Sequence, residues 1–482
     1  MSVNRKLIGK RPNFRPKRGG NFYRIMLWIL LILAGLWVLL SFDRGQLKSP
    51  LEPTPTPTRV PESFFLEAQA YFDAGKLDDP SNEDPASGLP AINDSIEAYE
   101  AALEGDPTNS KAWTELARIQ TYSSSMLRND SEELVRLEAA LASATRAVEL
   151  APDESTNHAI RSFALDWLAS NPLVESERAK ELLNEAELEA TRALQLDSEN
   201  PLALAFYAEI LADQQKWLQA EKFATQAVSL GQDLMDTHRV RGYVMETLAQ
   251  YNEAIKEYLL AAQISPNMTF LYLRIGVNFR EGIKNAERAL EYFDKAARIN
   301  EQLGVENPNP YIEIAKTYTQ EGQFFAAAIN ARKALDLDQN NAQTYGQLGM
   351  IYRRARNYEG AMPLLQCAVT GCTAEENELG QVAVEGLPLT SVTVGYYYVE
   401  YGTNLAFLSR PSENYCPLAL PILDQVKQAA KGWNDPYLVA IAEDSEGICR
   451  RVMEESSGSL QTPTVEGTPR ITATPTPAEM LP

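Results

Sequence analysis

Histidine is nearly missing from this 482-residue chain: His158 and His238 are the two, 80 residues apart. A His-rich zinc site or a compact His-centred catalytic centre is thereby excluded. Cysteine is sparse too, with four residues, all beyond position 366. They form no CxxC pair, and no Walker-type phosphate loop, HExxH or GxSxG turn is present. No catalytic residue, cofactor site or metal site is assigned, and the chain reads as a non-enzyme. The 65 carboxylates make chance acidic pairs inevitable, so solvated helix faces account for them. Glycine and proline, at 26 and 28, are near ordinary usage, and 45% of residues are hydrophobic. Wholesale disorder is excluded.

Long apolar runs are missing with one exception. Residues 25–42, IMLWILLILAGLWVLLSF, carry no charge. At about 1.5 Å per residue this stretch spans roughly 27 Å, enough for a bilayer core. Tyr23, Trp28, Trp37 and Phe42 lie near its ends, where amphipathic rings prefer the headgroup level. Residues 1–24 hold eight Lys and Arg and no acid, a net +8, so the rest of the chain carries −29 of the total −21. The positive-inside rule then puts the basic arm in the cytoplasm and everything after residue 42 outside. A cleaved signal peptide would need a shorter apolar region and a small-x-small site, and neither is present. The acidic body excludes bulk electrostatic binding of nucleic acid.

Residues 43–61 alternate Thr and Pro (Pro53, Thr54, Pro55, Thr56, Pro57, Thr58), the composition of a semi-rigid polyproline stalk. Residues 455–482 repeat that style and are expected to form a disordered tail. Thr-Pro stalks outside a single anchor point to an extracytoplasmic protein of the bacterial cytoplasmic membrane.

Between these segments one alanine recurs: Ala102, Ala147, Ala193, Ala227, Ala261, Ala296, Ala334 and Ala368, at intervals of 45, 46, 34, 34, 35, 38 and 34. Seven residues before each stands another small residue, from Ser95 and Ala140 to Ala361. A third set runs Ala68, Ala117, Ser162, Ala208, Gly242, Gly276, Ala315 and Gly349, with a bulky residue such as Trp113, Tyr272 or Tyr345 four positions earlier. Small residues at fixed offsets let two antiparallel helices approach closely. A two-helix unit of 34 residues cannot bury its faces alone, so units must stack.

Segments such as IEAYEAALEGDP (96–107) and YNEAIKEYLLAAQISP (251–266) resemble the tetratricopeptide repeat (TPR). The resemblance covers 62–375 in eight units. It implies an all-α right-handed superhelix of eight to nine helix pairs, here preceded by one transmembrane helix. The terminal proline of the pattern holds at Pro107, Pro152 and Pro266 only. Units one to three carry extra residues, for example 78–90 and 122–132, read as insertions projecting from one edge. Residues 376–454 read as a degenerate ninth pair (394–409, 417–431) and a closing helix (436–454), since a solenoid must cover its last apolar face. Pro363 and Pro421 are expected at late helix starts or kinks. Tyr396, Tyr397, Tyr398 and Tyr401 cluster there and read as core, with peptide or glycan contact as the rival reading.

Four cysteines allow three pairings. Gly371 reads as the left-handed residue that ends the helix holding Cys367, which brings Cys372 back onto Cys367. Cys416 and Cys449 then staple the ninth pair to the closing helix, and an outside location favours both bridges.

The resemblance further implies that the second, fifth, ninth and twelfth positions of each first helix face a concave groove for a protein partner. Asp236, Arg239, Tyr243 and Glu246 hold those positions in unit five, and Phe270, Leu273, Val277 and Arg280 in unit six. Unit seven has Asn309, Ile312, Lys316 and Thr319, and unit eight Gln343, Gly346, Met350 and Arg353. With Arg274 beside them, Arg239, Arg280, Lys316 and Arg353 suggest a basic groove for an acidic peptide segment. The Lys and Asn spacing of the family's carboxylate clamp is absent. The alternative function is an accessory in cell-surface polysaccharide or envelope assembly that touches glycan directly.

Overall fold

The computed structural model describes Tyr23 and residues 26–33, 59–77, 94–127, 130–377 and 379–458. The chain divides into two compact units, Met1–Arg59 and Val60–Pro482. In the first, 26–33 is helical and exposed. The rest of the apolar run 25–42, nearly all of the basic arm and the stalk residues 43–58 lie outside the described residues. Among the described residues no helix is long and apolar enough to cross a membrane. The insertion 78–90 and the tail from 459 also lie outside the described residues.

The second unit is helical throughout among the described residues, with only two isolated bridges, Cys372–Val384 and Arg410–Glu413. Pair one is α1 (Pro61–Asp73) and α2 (Ser95–Gly105). Pair two is α3 (Ser110–Ser124) and α4 (Asp130–Leu150), and pair three α5 (Ser155–Ser170) and α6 (Ser176–Leu196). Pairs four and five are α7 (Pro201–Asp213) with α8 (Trp217–Leu230), and α9 (Met235–Thr247) with α10 (Tyr251–Ile264). In pair six α11 (Thr269–Val277) passes into a π-helical turn, Asn278–Gly282, before α12 (Ala286–Leu303). Pairs seven and eight are α13 (Asn309–Gln320) with α14 (Phe324–Leu337), and α15 (Ala342–Arg354) with α16 (Tyr358–Val369). The ninth is α17 (Val392–Leu408) with α18 (Cys416–Gly432), and α19 (Pro436–Gly458) closes the stack.

The spacing in sequence becomes contact between helices. Ala102, Ala147, Ala193, Ala227, Ala261, Ala296, Ala334 and Ala368 are all buried, as are the small residues seven positions before them. A side chain at the small position of a first helix would collide with the second. A Cβ on Gly276 would lie 2.4 Å from the Phe293 ring, and one on Gly242 2.9 Å from Tyr258. The bulky position four earlier has its own task. Trp113, His158, His238, Tyr272 and Tyr345 each direct a ring nitrogen or hydroxyl at the carbonyl six residues upstream, at 2.8–3.1 Å. Those acceptors include Pro107, Pro152 and Pro266, so this bond ties each unit to the turn that precedes it. The two histidines belong to this set. Their Nδ1 atoms meet Glu189 at 2.6 Å and Glu257 at 2.7 Å, which gives them structural partners on both sides.

Inside a unit, first and second helices join through a left-handed residue: Gly75, Gln215, Ala249, Lys284, Gly322 and Arg356. In five of these turns the next amide bonds the carbonyl five residues back, as Lys216 does to Leu211 and Gln250 to Met245, the Schellman arrangement.

Two expectations need correction. Apart from residues 128–129, which lie outside the described residues, the extra residues of units two and three do not project as loops. They lengthen the second helices α4 and α6 to 21 residues, against 14 in α8 and α10. Pro363 and Pro421 are not late helix starts; both lie inside α16 and α18, the placement that the other reading, a kink, requires. The disulfides Cys367–Cys372 and Cys416–Cys449 are present. Gly371 has φ 79°, and the amide of Cys372 donates to Val384 O at 3.0 Å. The second bridge joins the start of α18 to α19.

Candidate functional site

The first helices of pairs two to six turn their inner faces toward one another, and much of that face is occupied by the chain itself. Arg118 and Tyr122 on α3 reach α9, three pairs on. The Asp236 carboxylate accepts Arg118 Nε at 3.1 Å, a second Arg118 bond through Nη2, and the Tyr122 hydroxyl at 2.6 Å. Arg239 donates to Tyr122 Oη at 3.2 Å and clasps Glu209 with two bonds of 2.6 and 2.5 Å. Its guanidinium lies 5.2–5.7 Å from the ring centres of Tyr122, Phe163 and Trp167. Burial pushes the Asp236 carboxyl up, but the Arg118 guanidinium and its hydrogen bonds outweigh this and hold it below the usual range.

Beside this network lies a cavity of about 440 Å³ between pairs three and six, lined by Asp166, Trp167, Asp213, Tyr243, Phe270, Arg274 and Asn309 among others. It shares Ser125, Glu133 and Asn309 with a larger cavity of about 820 Å³, which runs along α13 and the start of α15. That cavity in turn shares Lys316, Gln343 and Gln347 with a third of about 490 Å³ that ends against Tyr396 and Tyr397 of α17. The three thus adjoin in a row, here called the channel.

The inward positions counted from the repeat line different parts of it. Asn309, Ile312, Lys316, Thr319, Gln343 and Met350 line the two outer cavities, with Arg280 at the last of them, and Arg239, Tyr243, Phe270 and Leu273 line the inner one. In units five and six the arginines at these positions are buried. Arg239 and Arg280 are only 5% and 8% exposed. Arg280, carried on the π-helical turn, bonds Glu313 at 2.5 Å and Glu281 at 2.8 Å. Arg274 pairs with Glu246, Lys316 with Glu313 at 2.7 Å, and Arg353 with Glu400 on α17. The half-buried Tyr243 donates its hydroxyl to Asp213. Each of these cations lies beside a carboxylate, with Glu313 serving both Arg280 and Lys316, and for the buried Arg239 and Arg280 a cation taken out of water must be compensated.

The tyrosine cluster is mostly core: Tyr397 and Tyr401 are buried, and Tyr397 occupies the space before Gly346. Tyr396 alone of the cluster keeps a partly exposed face on the channel.

Arg118, Phe163, Asp166 and Glu209 did not enter the sequence-based groove, which was counted in units five to eight only. Carried back to units two to four, the same positions mark all four residues. Opposite charges at inward positions three units apart, Arg118 and Asp236, are the signal of a face that closes on itself.

No family model matches the chain, and no curated protein matches its sequence. Solved structures that it resembles are helical repeats. A thermophilic TPR protein of Thermus thermophilus is 18% identical, with 46% of this chain and 99% of that chain covered and a TM-score of 0.35. Yeast Tom70 is 13% identical over 84% of this chain and 92% of its own, with a TM-score of 0.45. YrrB, a TPR protein with an unusual peptide-binding site, is 20% identical over 43% and 94%, with a TM-score of 0.24. At these scores the likeness carries no weight beyond the helix pairs already described.

Proposed function

We propose that this chain is a membrane-tethered, TPR-like scaffold whose channel holds an extended segment of another protein. The observation that carries this reading is the chemistry of the channel wall. Asn309, Gln320, Gln343 and Gln347 line it on successive first helices. Each carboxamide offers a donor and an acceptor, the pair needed to match a peptide's N–H and C=O groups. Direct glycan contact would call for exposed aromatic platforms along α13 and α15, and among the described residues the two cavities there are lined by no ring but Tyr396 and the buried Tyr397. An acidic segment is not favoured either, since Lys316 and Arg280 share Glu313 and Arg353 holds Glu400. Recognition through the partner's backbone is the reading that fits.

The tether is residues 25–42, with the N-terminus in the cytoplasm and the repeats outside a bacterial cytoplasmic membrane. The +8 arm and the uncharged run support it, and two disulfides suit an oxidising compartment. A photocrosslinker at Gln347, compared with one at exposed Lys256 on the outer helix α10, tests the channel in cells. Gln347 should capture a distinct chain, and N309A/Q343A in the same protein should reduce that capture by at least tenfold. Equal capture from both positions, or undiminished capture in the double variant, would remove the channel as the site. Protease added to spheroplasts should digest the repeats and spare the arm; protected repeats would reverse the topology.

A further inference from the structure

The inner end of the channel differs in chemistry from the rest. Arg239 is neutralised by Glu209 and Arg274 by Glu246, so both guanidinium groups facing this cavity are spent. Three carboxyl groups remain, Glu133, Asp166 and Asp213, and among the described residues no cation pairs with any of them. Asp166 is 2% exposed; its carboxyl lies within hydrogen-bond reach of Asp213, and no protein N–H or hydroxyl reaches its Oδ1. A buried carboxyl oxygen without a partner is costly unless a donor reaches it. The remaining walls are aromatic: Trp167, Phe270 and Tyr243. Carboxylates set among ring faces suit a flat or alkylated cation, which the acids attract and the rings stack upon.

We infer that this cavity is a binding site for a guanidinium or alkylammonium cation, seated on Asp166 and Asp213 against Trp167. The inference stands on the cavity alone and holds whether or not the rest of the channel takes a peptide.

The empty cavity resists full ionisation. Burial, then the charges of Asp213 and Glu209, push the Asp166 carboxyl up. Burial raises Asp213 to about 6 despite the bond from Tyr243, and burial with nearby Asp130 raises Glu133 to about 7. A cation must displace these protons, so its binding strengthens as pH rises through 6 to 7. Of the other titratable groups lining the cavity, Arg239, Arg274, Tyr243 and Tyr258 keep their charge state in that range, and both oxygens of Glu209 are held by Arg239.

Titration of the full-length chain in detergent, followed by calorimetry and tryptophan emission, tests the site. The probes are N-acetyl-arginine methylamide and its uncharged analogue N-acetyl-citrulline methylamide. The arginine probe should bind at least tenfold more tightly at pH 7.5, and lose about tenfold in affinity at pH 5.5. D166N/D213N should weaken it at least tenfold while leaving the citrulline probe unaffected. Ser170 is exposed at the rim. S170W should block the cavity without touching the buried acids, which covers the case of a misfolded double variant. Equal affinity for the two probes, no binding of the arginine probe, or full binding by both variants would overturn the site. A Gly-Ser heptapeptide with a central arginine distinguishes the sources of the cation. Tighter binding than the capped residue means that a side chain of a longer segment supplies it; equal binding means that a free cation suffices.

Discussion

Replacing Arg239 with methionine tests whether the inner face is closed. The unbranched methionine fits among Tyr122, Phe163 and Trp167, so the packing loss is small. The electrostatic loss is not. Glu209 is 5% exposed, and both of its oxygens are held by Arg239. Left unpaired, it would stay buried as an anion or take up a proton. Protonation is the cheaper course and sets a ceiling. From an ordinary value of about 4.3, protonating a carboxyl at pH 7 costs about 3.7 kcal/mol, and at pH 5 only about 1 kcal/mol. This agrees with the roughly 3–5 kcal/mol lost when one member of a buried pair is removed. The sign follows: in R239M the Glu209 pKa is raised, so the variant loses stability relative to the parent as pH rises from 5 to 7. Urea denaturation followed by circular dichroism at both pH values measures the difference. E209Q/R239M, which removes the charge, should recover most of the deficit at pH 7. An exposed groove arginine would change stability by less than about 0.5 kcal/mol. A deficit that small, or one that does not vary with pH, would refute the closed face.

Other outcomes follow from the same geometry. Gln215, Ala249 and Arg356 sit in left-handed turns at φ 57–62°, so replacement by glycine should stabilise each turn by up to about 1 kcal/mol, read as a rise in urea midpoint. Gly276→Ala should cost about 1–3 kcal/mol by the same measurement, because its Cβ meets the Phe293 ring. Opening Cys416–Cys449 by a double serine substitution should cost about 3–4 kcal/mol on the loop-entropy account, and proteolysis should then release α19 first.

The helix pairs were legible because their signal is steric and local. Small residues at the places of Ala254 and Ala261 must recur wherever two helices cross closely, and they do so in phase. The turns were less legible. Gln215, Ala249, Lys284 and Arg356 adopt a conformation associated with glycine, and nothing in their side chains announces it; only their spacing does, 34 and 35 residues between the first three and 34 from Gly322 to Arg356. The added length of α4 and α6 was misread as loop because apolar periodicity fades at helix ends, where polar residues such as Asp130, Glu132 and Glu133 face solvent or a neighbouring turn. The site was half legible. Position counting found the wall of the channel at Asn309, Lys316 and Gln343. It could not find that Asp236 and Arg239 are covered, because that depends on a contact between residues 118 and 236, which the stacking of intervening pairs creates.

That contact also decides where a partner can be held. In an open helical solenoid every first helix contributes to one groove, and binding is spread along it. Here Arg118, Tyr122, Asp236, Arg239 and Glu209 fill the inner face from pair two to pair five with a charge-balanced, aromatic-lined plug. Neighbouring contacts reinforce it: Asn307 donates to the carbonyl of Ser125 at 3.2 Å, and Gln343 to Asp130 at 3.1 Å. These bonds hold Ser125 and Asp130 against pairs seven and eight, so the channel has a second wall drawn from Ser124, Ser125, Leu127, Asp130, Ser131 and Glu133. Closing one part of the face is therefore what encloses the other. A substitution that loosens the plug, such as R239M, would move Ser125 and Asp130 as well as expose Glu209. Its effect on partner capture at Gln347 should then exceed that of removing Lys316, which lies in the channel itself but is exposed. If K316A weakens capture more than R239M does, the second wall plays no part in binding and the channel works through α13 and α15 alone.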